Sequence, residues 1–161
     1  MEKTELNLIT LEQWNKGDRP KKLYHITPML NVLSILDEGL LKSNTNKMFE
    51  QSEDLVYLAN SIEFCEDYMV DLFTTPLANS FGSIEAIKPV EVKYMIFEID
   101  VNKLNIDLIA IDKLLEPQLD NEYIKSFTYN GDIGQEAIDL IPNIYSQYYL
   151  REELIERFNL I

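Results

Sequence analysis

The 161-residue sequence is poor in residue types that many functional sites require: it has one cysteine, one histidine and five glycines. A single cysteine, Cys65, excludes an internal disulfide and any zinc site built from several thiolates. A single histidine, His25, excludes mechanisms that need two imidazoles, such as the HExxH metalloprotease site. The sequence also has no P-loop and no GxGxxG pattern. We therefore expect no metal centre and no nucleotide site of these common types.

Basic residues are scarce as well. Lys and Arg number 14 against 28 Asp and Glu, so the formal net charge is −14. A field of that sign repels phosphate backbones, which disfavours nucleic acid as a partner and is compatible with a protein partner.

Long apolar runs are also missing. No stretch approaches the roughly 18 apolar residues of a membrane-spanning helix. The N-terminus lacks the basic segment and apolar run of a signal peptide. Together with the single cysteine, these features predict a cytoplasmic protein without membrane association. The length predicts one domain over residues 1–161, with residues 1–21 as a polar lead-in.

The apolar patterning predicts an α+β domain. In the first helix, Thr27 is the expected N-cap, Pro28 the first helical residue and Gly39 the terminating residue. A second helix is expected to begin with a capping box of Asn60 and Glu63. Val90–Asp100 is the strongest strand and is expected at the centre of a sheet. The predicted strands are 22–26, 54–59, 90–100, 105–111 and 126–129; the predicted helices are 28–38, 61–73 and 143–158, with one helical turn at 135–138, a mobile loop at 75–89 and a loop or short helix at 113–123.

Two side chains in the predicted strands are candidates for a binding site. His25 ends a strand beside a helix start and could point a hydrogen-bond donor into a cleft, although such a histidine, taken alone, is more often a structural one bonded to a nearby carbonyl. Tyr57 lies at the centre of a strand, where a tyrosine is usually part of the core. Its ring could instead stack on a flat heterocycle.

Three sequence blocks in order extend this interpretation. The first, Leu23-Tyr24-His25-Ile26-Thr27, precedes a helix with Asn31, Ser34, Ile35, Leu36, Gly39 and Leu40. The second is Val56-Tyr57-Leu58-Ala59, and the third covers Ser126–Ile133. Over residues 22–141 the chain resembles the ADP-ribosyltransferase superfamily, in particular DNA-modifying bacterial toxins of the DarT type and their uncharacterised relatives. It also resembles RNA 2′-phosphotransferases, which share that fold.

The resemblance implies a split β-sheet core with peripheral helices and a cleft for NAD⁺, the substrate, between two small sheets. His25 would bond the ribose next to nicotinamide, the backbone near Ile26 and Thr27 would hold the carboxamide, and Tyr57 would stack on the nicotinamide ring. The family also has a catalytic glutamate near the start of the late strand. Residues 126–129 carry no acid, so the nearest candidate is Glu122, with Glu136 as a second.

Three functions remain open from the sequence. The resemblance implies a mono-ADP-ribosyltransferase that modifies a macromolecule, and the net charge of −14 favours a protein over a nucleic acid as the target. Such an enzyme could serve as a toxin or as a phage or mobile-element effector. The first alternative is a catalytically inactive protein of the same fold that binds or inhibits a partner through its acidic surface. A weaker alternative is an enzyme like the RNA 2′-phosphotransferases.

Overall fold

The computed structural model describes residues 8–41, 55–66 and 77–159. In these residues the chain is an α+β fold with six strands and short helices. The strands are β1 (Lys22–Pro28), β2 (Val56–Ala59), β3 (Val90–Asp100), β4 (Ile109–Ile111), β5 (Ser126–Tyr129) and β6 (Ile138–Tyr149). The helices are α1 (Leu11–Asn15), α2 (Val32–Glu38) and α3 (Arg151–Asn159), and residues 62–66 and 77–80 are also helical.

The six strands form one antiparallel sheet in the order β4-β5-β2-β1-β3-β6. β1 pairs with β3 along its whole length, from Lys22 opposite Asp100 to Pro28 opposite Tyr94. Between β1 and β2, in contrast, the described residues contain a single pair, Tyr24 opposite Ala59. This one pair joins β4-β5-β2 to β1-β3-β6, which we call the two half-sheets of this single sheet.

A hydrophobic cluster covers each face of the sheet. On one face Leu23 and Phe127, from different half-sheets, pack with Val32 and Ile35 of α2. On the other face the core includes Leu154 of α3. Because alternate residues of a strand point to opposite faces, both clusters draw on the same strands. The two clusters hold the half-sheets together where main-chain pairing is sparse.

The first half of the fold largely follows the sequence prediction. β1 begins where expected, at Lys22, and continues through Pro28. The helix starts later than predicted, with a 3₁₀ turn at Met29–Asn31 before α2, so Thr27 lies in the strand and is not the N-cap. Gly39 ends the helix as expected, with φ of +83°. Leu40, which follows it, is buried.

The C-terminal helix predicted over 143–158 is wrong at its start. Ile138–Tyr149 forms β6, and the helix occupies only Arg151–Asn159. The helix prediction places Ile144 and Tyr148 on one face, and they are four residues apart, a spacing that also places side chains on one face of a strand. β6 pairs with the long strand β3, which provides partners from Val90 to Ile99, and this pairing decides between the two.

Other predictions hold in part. Strands 90–100 and 126–129 and the helical turn after residue 134 are confirmed, although β3 lies between β1 and β6 rather than at the sheet centre. The predicted strand 105–111 is reduced to β4, because Asn105 caps a 3₁₀ turn before it. In 113–123, a 3₁₀ turn covers Lys113–Leu115.

Two further segments adjoin β2 and β3. The helix predicted at 61–73 is seen over 62–66, where Phe64 N donates to Ser61 Oγ at 3.1 Å, and residues 67–73 lie outside the described residues. The segment expected as a mobile loop at 75–89 includes a helical turn and a 3₁₀ turn from residue 77 onwards. Ala78 and Ile87 in it are buried in the core, so this segment packs on the sheet.

Candidate functional site

The candidate site is the place where β1 and β2 separate. Continuing the register from Tyr24 opposite Ala59 would set Ile26 opposite Tyr57, but the described residues show no pairing there. Instead, Nδ1 of His25 lies 3.0 Å from the carbonyl oxygen of Tyr57. A side chain thus bridges the two strands where main-chain hydrogen bonds stop, and the main chain of β1 after this point borders the gap.

This contact determines the protonation of the His25 ring. A carbonyl oxygen only accepts, so Nδ1 carries the proton and donates to Tyr57. Burial lowers the pKa of His25, and the hydrogen bond to the Tyr57 carbonyl offsets part of this effect. At neutral pH the ring is therefore neutral with its lone pair on Nε2. Nε2 can accept a hydrogen bond from a hydroxyl group.

Tyr57 borders the gap from β2. Its neighbours Val56 and Leu58 are buried in the core cluster that includes Leu23, so the Tyr57 side chain leaves the sheet on the other face. It is partly exposed, and its partner on β5 is Thr128. By the same alternation, His25 shares the face of Leu23. The structure therefore joins His25 to the main chain of Tyr57, while the two side chains start on opposite faces.

Ile26 and Thr27 continue β1 along the gap. Both side chains are buried, and Thr27 Oγ1 is 3.5 Å from the Pro28 carbonyl oxygen. Buried side chains leave the main chain as the part of these residues that a ligand could contact. That Ile26 and Thr27 hold a carboxamide stays a prediction.

Glu122 lies away from the gap. It is exposed, its Oε2 accepts from Gln118 N at 3.3 Å, and its carbonyl oxygen accepts from Leu11 N at 3.2 Å. The chain from Glu122 reaches β5 at Ser126, opposite Ala59, which is the closed end of the gap. The structure therefore does not bring Glu122 together with His25.

Glu136 is also remote from the gap. It is exposed in the 3₁₀ turn Gln135–Ala137, directly before β6, and its carbonyl oxygen accepts from Lys103 Nζ at 2.9 Å. β3 separates β6 from β1. Glu136 is thus two strands away from the strand that carries His25.

Asp112 is a buried acid that sequence reasoning did not select as a site residue. Its Oδ2 accepts from Ser126 Oγ at 2.9 Å, its Oδ1 accepts from Leu114 N at 3.1 Å, and its own N–H donates to the Ser126 carbonyl oxygen. The available signal was an Asp between a strand and a short turn, which is a common cap. Both carboxylate oxygens bond within the protein, so Asp112 positions the start of β5.

Two further properties concern ligands and membranes. Among residues 8–41, 55–66 and 77–159, no three His, Cys, Asp or Glu side chains are grouped to hold a metal ion. In the same ranges no helix is long and apolar enough to cross a membrane.

The sequence matches no model of a known protein family and no curated protein. The function is therefore inferred from the motifs around His25 and Tyr57 and from the gap between β1 and β2.

Proposed function

We propose that the domain is a mono-ADP-ribosyltransferase that uses NAD⁺ as its substrate. The observation that supports this most directly is the split between β1 and β2, bridged by the bond from His25 to the Tyr57 carbonyl. The two motif residues that the resemblance assigns to NAD⁺ binding come from separate parts of the sequence and border one gap. A neutral His25 with an accepting Nε2 fits a ribose hydroxyl as its donor.

The reaction proposed for this gap is a glycosyl transfer. The bond between nicotinamide and ribose breaks with its electron pair leaving on nicotinamide, and positive charge develops on the anomeric carbon until the acceptor attacks it. His25 would orient the ribose, and the ring of Tyr57 would stack on nicotinamide. A carboxylate near the anomeric carbon would stabilise the developing charge. Glu122→Gln, Glu136→Gln and Asp112→Asn variants test which acid, if any, has that part.

A protein is the better class of acceptor. The net charge of −14 opposes binding of a phosphate backbone, while it attracts a basic protein surface. We therefore propose transfer to a protein side chain.

A second candidate is a domain of this fold that binds a partner without catalysis. The observation that favours it is the residues of β5 that face β2: Thr128 lies opposite Tyr57, and Ser126 lies opposite Ala59. Neither side chain can counter a developing positive charge as a carboxylate does. In this case the acidic surface, and not the gap, would carry the function.

The experiment measures nicotinamide release from NAD⁺, with and without cell extract, alongside the thermal shift that NAD⁺ causes. We expect release by the wild type and loss of both signals in His25→Ala and Tyr57→Ala. Tyr148→Ala, an exposed tyrosine on β6, is the control and should behave as the wild type. Tyr57→Phe keeps the ring and should keep the shift.

Two results would count against the transferase. Release that persists in His25→Ala would show that the site is elsewhere. A folded wild type with no release and no thermal shift would favour the binding protein.

A further inference from the structure

Large apolar side chains are exposed on α2 and on the 3₁₀ turn before it, although the inner face of the helix already belongs to the core. Val32 and Ile35 are buried against the sheet. On the other side, Leu30 is 85% and Leu33 is 79% exposed, the highest values among the large apolar side chains of the described residues. α2 is not apolar all round, since Ser34, Asp37 and Glu38 are also exposed. Its large apolar side chains nevertheless extend beyond the face that packs on the sheet.

The exposed side chains form one continuous surface. Leu30, Leu33 and Leu36 follow one another at intervals of three residues, and Met29 precedes Leu33 by four. Both spacings make side chains neighbours on a helical surface. Met29 and Leu36 are each more than two-fifths exposed. We call these four side chains the α2 surface. Contiguous exposed apolar side chains of this kind mark interaction sites more often than scattered single ones.

Acidic groups border one end of the α2 surface. Asp37 and Glu38 are exposed in the last turn of α2. Glu136 follows close by, because its neighbour Gln135 donates from Nε2 to the Leu36 carbonyl oxygen at 2.8 Å. These carboxylates would lie near one end of any segment that lay along the α2 surface. A matching segment carries basic residues beside its apolar ones.

The charge also argues against a second copy of this chain as the occupant. Each copy has a formal net charge of −14 and would bring the same acidic border to the contact. Like charges placed together in an interface cost free energy and slow the encounter. A cationic amphipathic segment has the opposite property, because the field of the domain attracts it.

We propose that the α2 surface docks a protein segment of this type, a helix with an apolar face flanked by Lys or Arg. Such a helix would place its apolar side chains on Leu30 and Leu33 and its basic side chains beside Asp37 and Glu38. The inference goes beyond the proposed function, since it holds whether or not the domain transfers ADP-ribose. The surface begins one residue after β1, so a segment docked here lies next to the strand that borders the gap.

The test uses three labelled synthetic peptides and fluorescence anisotropy. The first is an amphipathic helix of leucine and lysine, the second its leucine and glutamate counterpart, and the third a permutation of the first without an apolar face. We expect only the first to bind the full chain tightly, with weaker binding as salt rises. Tight binding of the glutamate peptide, or equal binding of the permuted one, would overturn the proposal.

Matched variants separate the α2 surface from general attraction to an acidic protein. Leu30→Ser/Leu33→Ser leaves the charge unchanged and should weaken binding roughly tenfold or more. Leu114→Ser/Leu119→Ser removes two other leucines that are 75% and 59% exposed, and should bind as the wild type. Equal affinities of the two double variants would refute the assignment. If the first variant fails to fold, Leu30→Ser alone gives the same comparison.

The acidic border and self-association have their own readouts. Asp37→Asn/Glu38→Gln should bind more weakly at low salt and show a shallower salt dependence, whereas Glu116→Gln/Asp120→Asn, exposed acids elsewhere, should bind more nearly as the wild type. Sedimentation equilibrium of the wild type should show a monomer. A dimer that Leu30→Ser/Leu33→Ser abolishes would show that the surface joins two copies, and would overturn the proposal.

Discussion

Replacement of Gly39 by alanine tests how the end of α2 is held. Gly39 has φ of +83° and ψ of −172°, a region of backbone space that is essentially restricted to glycine. An added Cβ would also collide with the carbonyl oxygen of Ile133. That oxygen accepts from Leu40 N at 2.9 Å, and Ile133 N donates back to Leu40 at 2.8 Å. The substitution therefore strains the backbone and separates two hydrogen-bonded segments.

The expected cost follows from these two effects. A side chain in this backbone region costs about 1–3 kcal/mol, and weakening each of the two hydrogen bonds adds about 0.5–1.5 kcal/mol. We expect the free energy of unfolding of Gly39→Ala to fall by about 4 kcal/mol, the centre of the summed ranges. For a chain of this length, that corresponds to a fall in Tm of roughly 8–16 °C.

Gly17→Ala is the matched control. Gly17 also has positive φ, +104°, but an added Cβ would meet no atom within 4 Å. It should therefore lose only about 1–2 kcal/mol from backbone strain. Urea unfolding followed by circular dichroism measures both variants. If Gly39→Ala unfolds at the same urea concentration as Gly17→Ala, the contact between Gly39 and Ile133 adds nothing and the reasoning is refuted.

Two predictions concern Ser126 on β5 and His25 on β1. Ser126→Ala removes the hydrogen bond from Ser126 to the buried Asp112 carboxylate and should lower the free energy of unfolding, measured with urea, by about 1.5–3 kcal/mol. Ser146→Ala, at an exposed serine, should lower it much less. Equal losses in the two variants would contradict a structural role for Asp112. His25 has its pKa lowered by burial, so its neutral form favours the folded state. That contribution is complete above its ordinary pKa of about 6.5 and is lost as the pH falls below it. The stability difference between the wild type and His25→Gln should therefore shrink from pH 7.5 to 5, and a constant difference over this range would show that burial of His25 has no such effect.

The elements that the sequence predicts well are those whose local signals agree. Val90–Asp100 is rich in β-branched and aromatic residues, and Gly39 stands where a helix must end. At Ile144 and Tyr148 the local signals fit both a helix and a strand, and only the pairing of β6 with β3 decides for the strand. Local preference is weak where a neighbouring element provides the hydrogen bonds.

The candidate site likewise combines features that are visible in the sequence with features that are visible only in the folded structure. The α+β class, the acidic charge and the choice of His25 and Tyr57 as candidate site residues follow from the sequence. Three facts required the folded structure: His25 bonds the Tyr57 carbonyl, Glu122 lies beyond the closed end of the gap, and Asp112 is bonded to Ser126. Composition carries no information on contacts, and periodicity depends on residues close together in the chain. Each of these contacts depends on strand pairing and packing between distant segments, which no local pattern encodes.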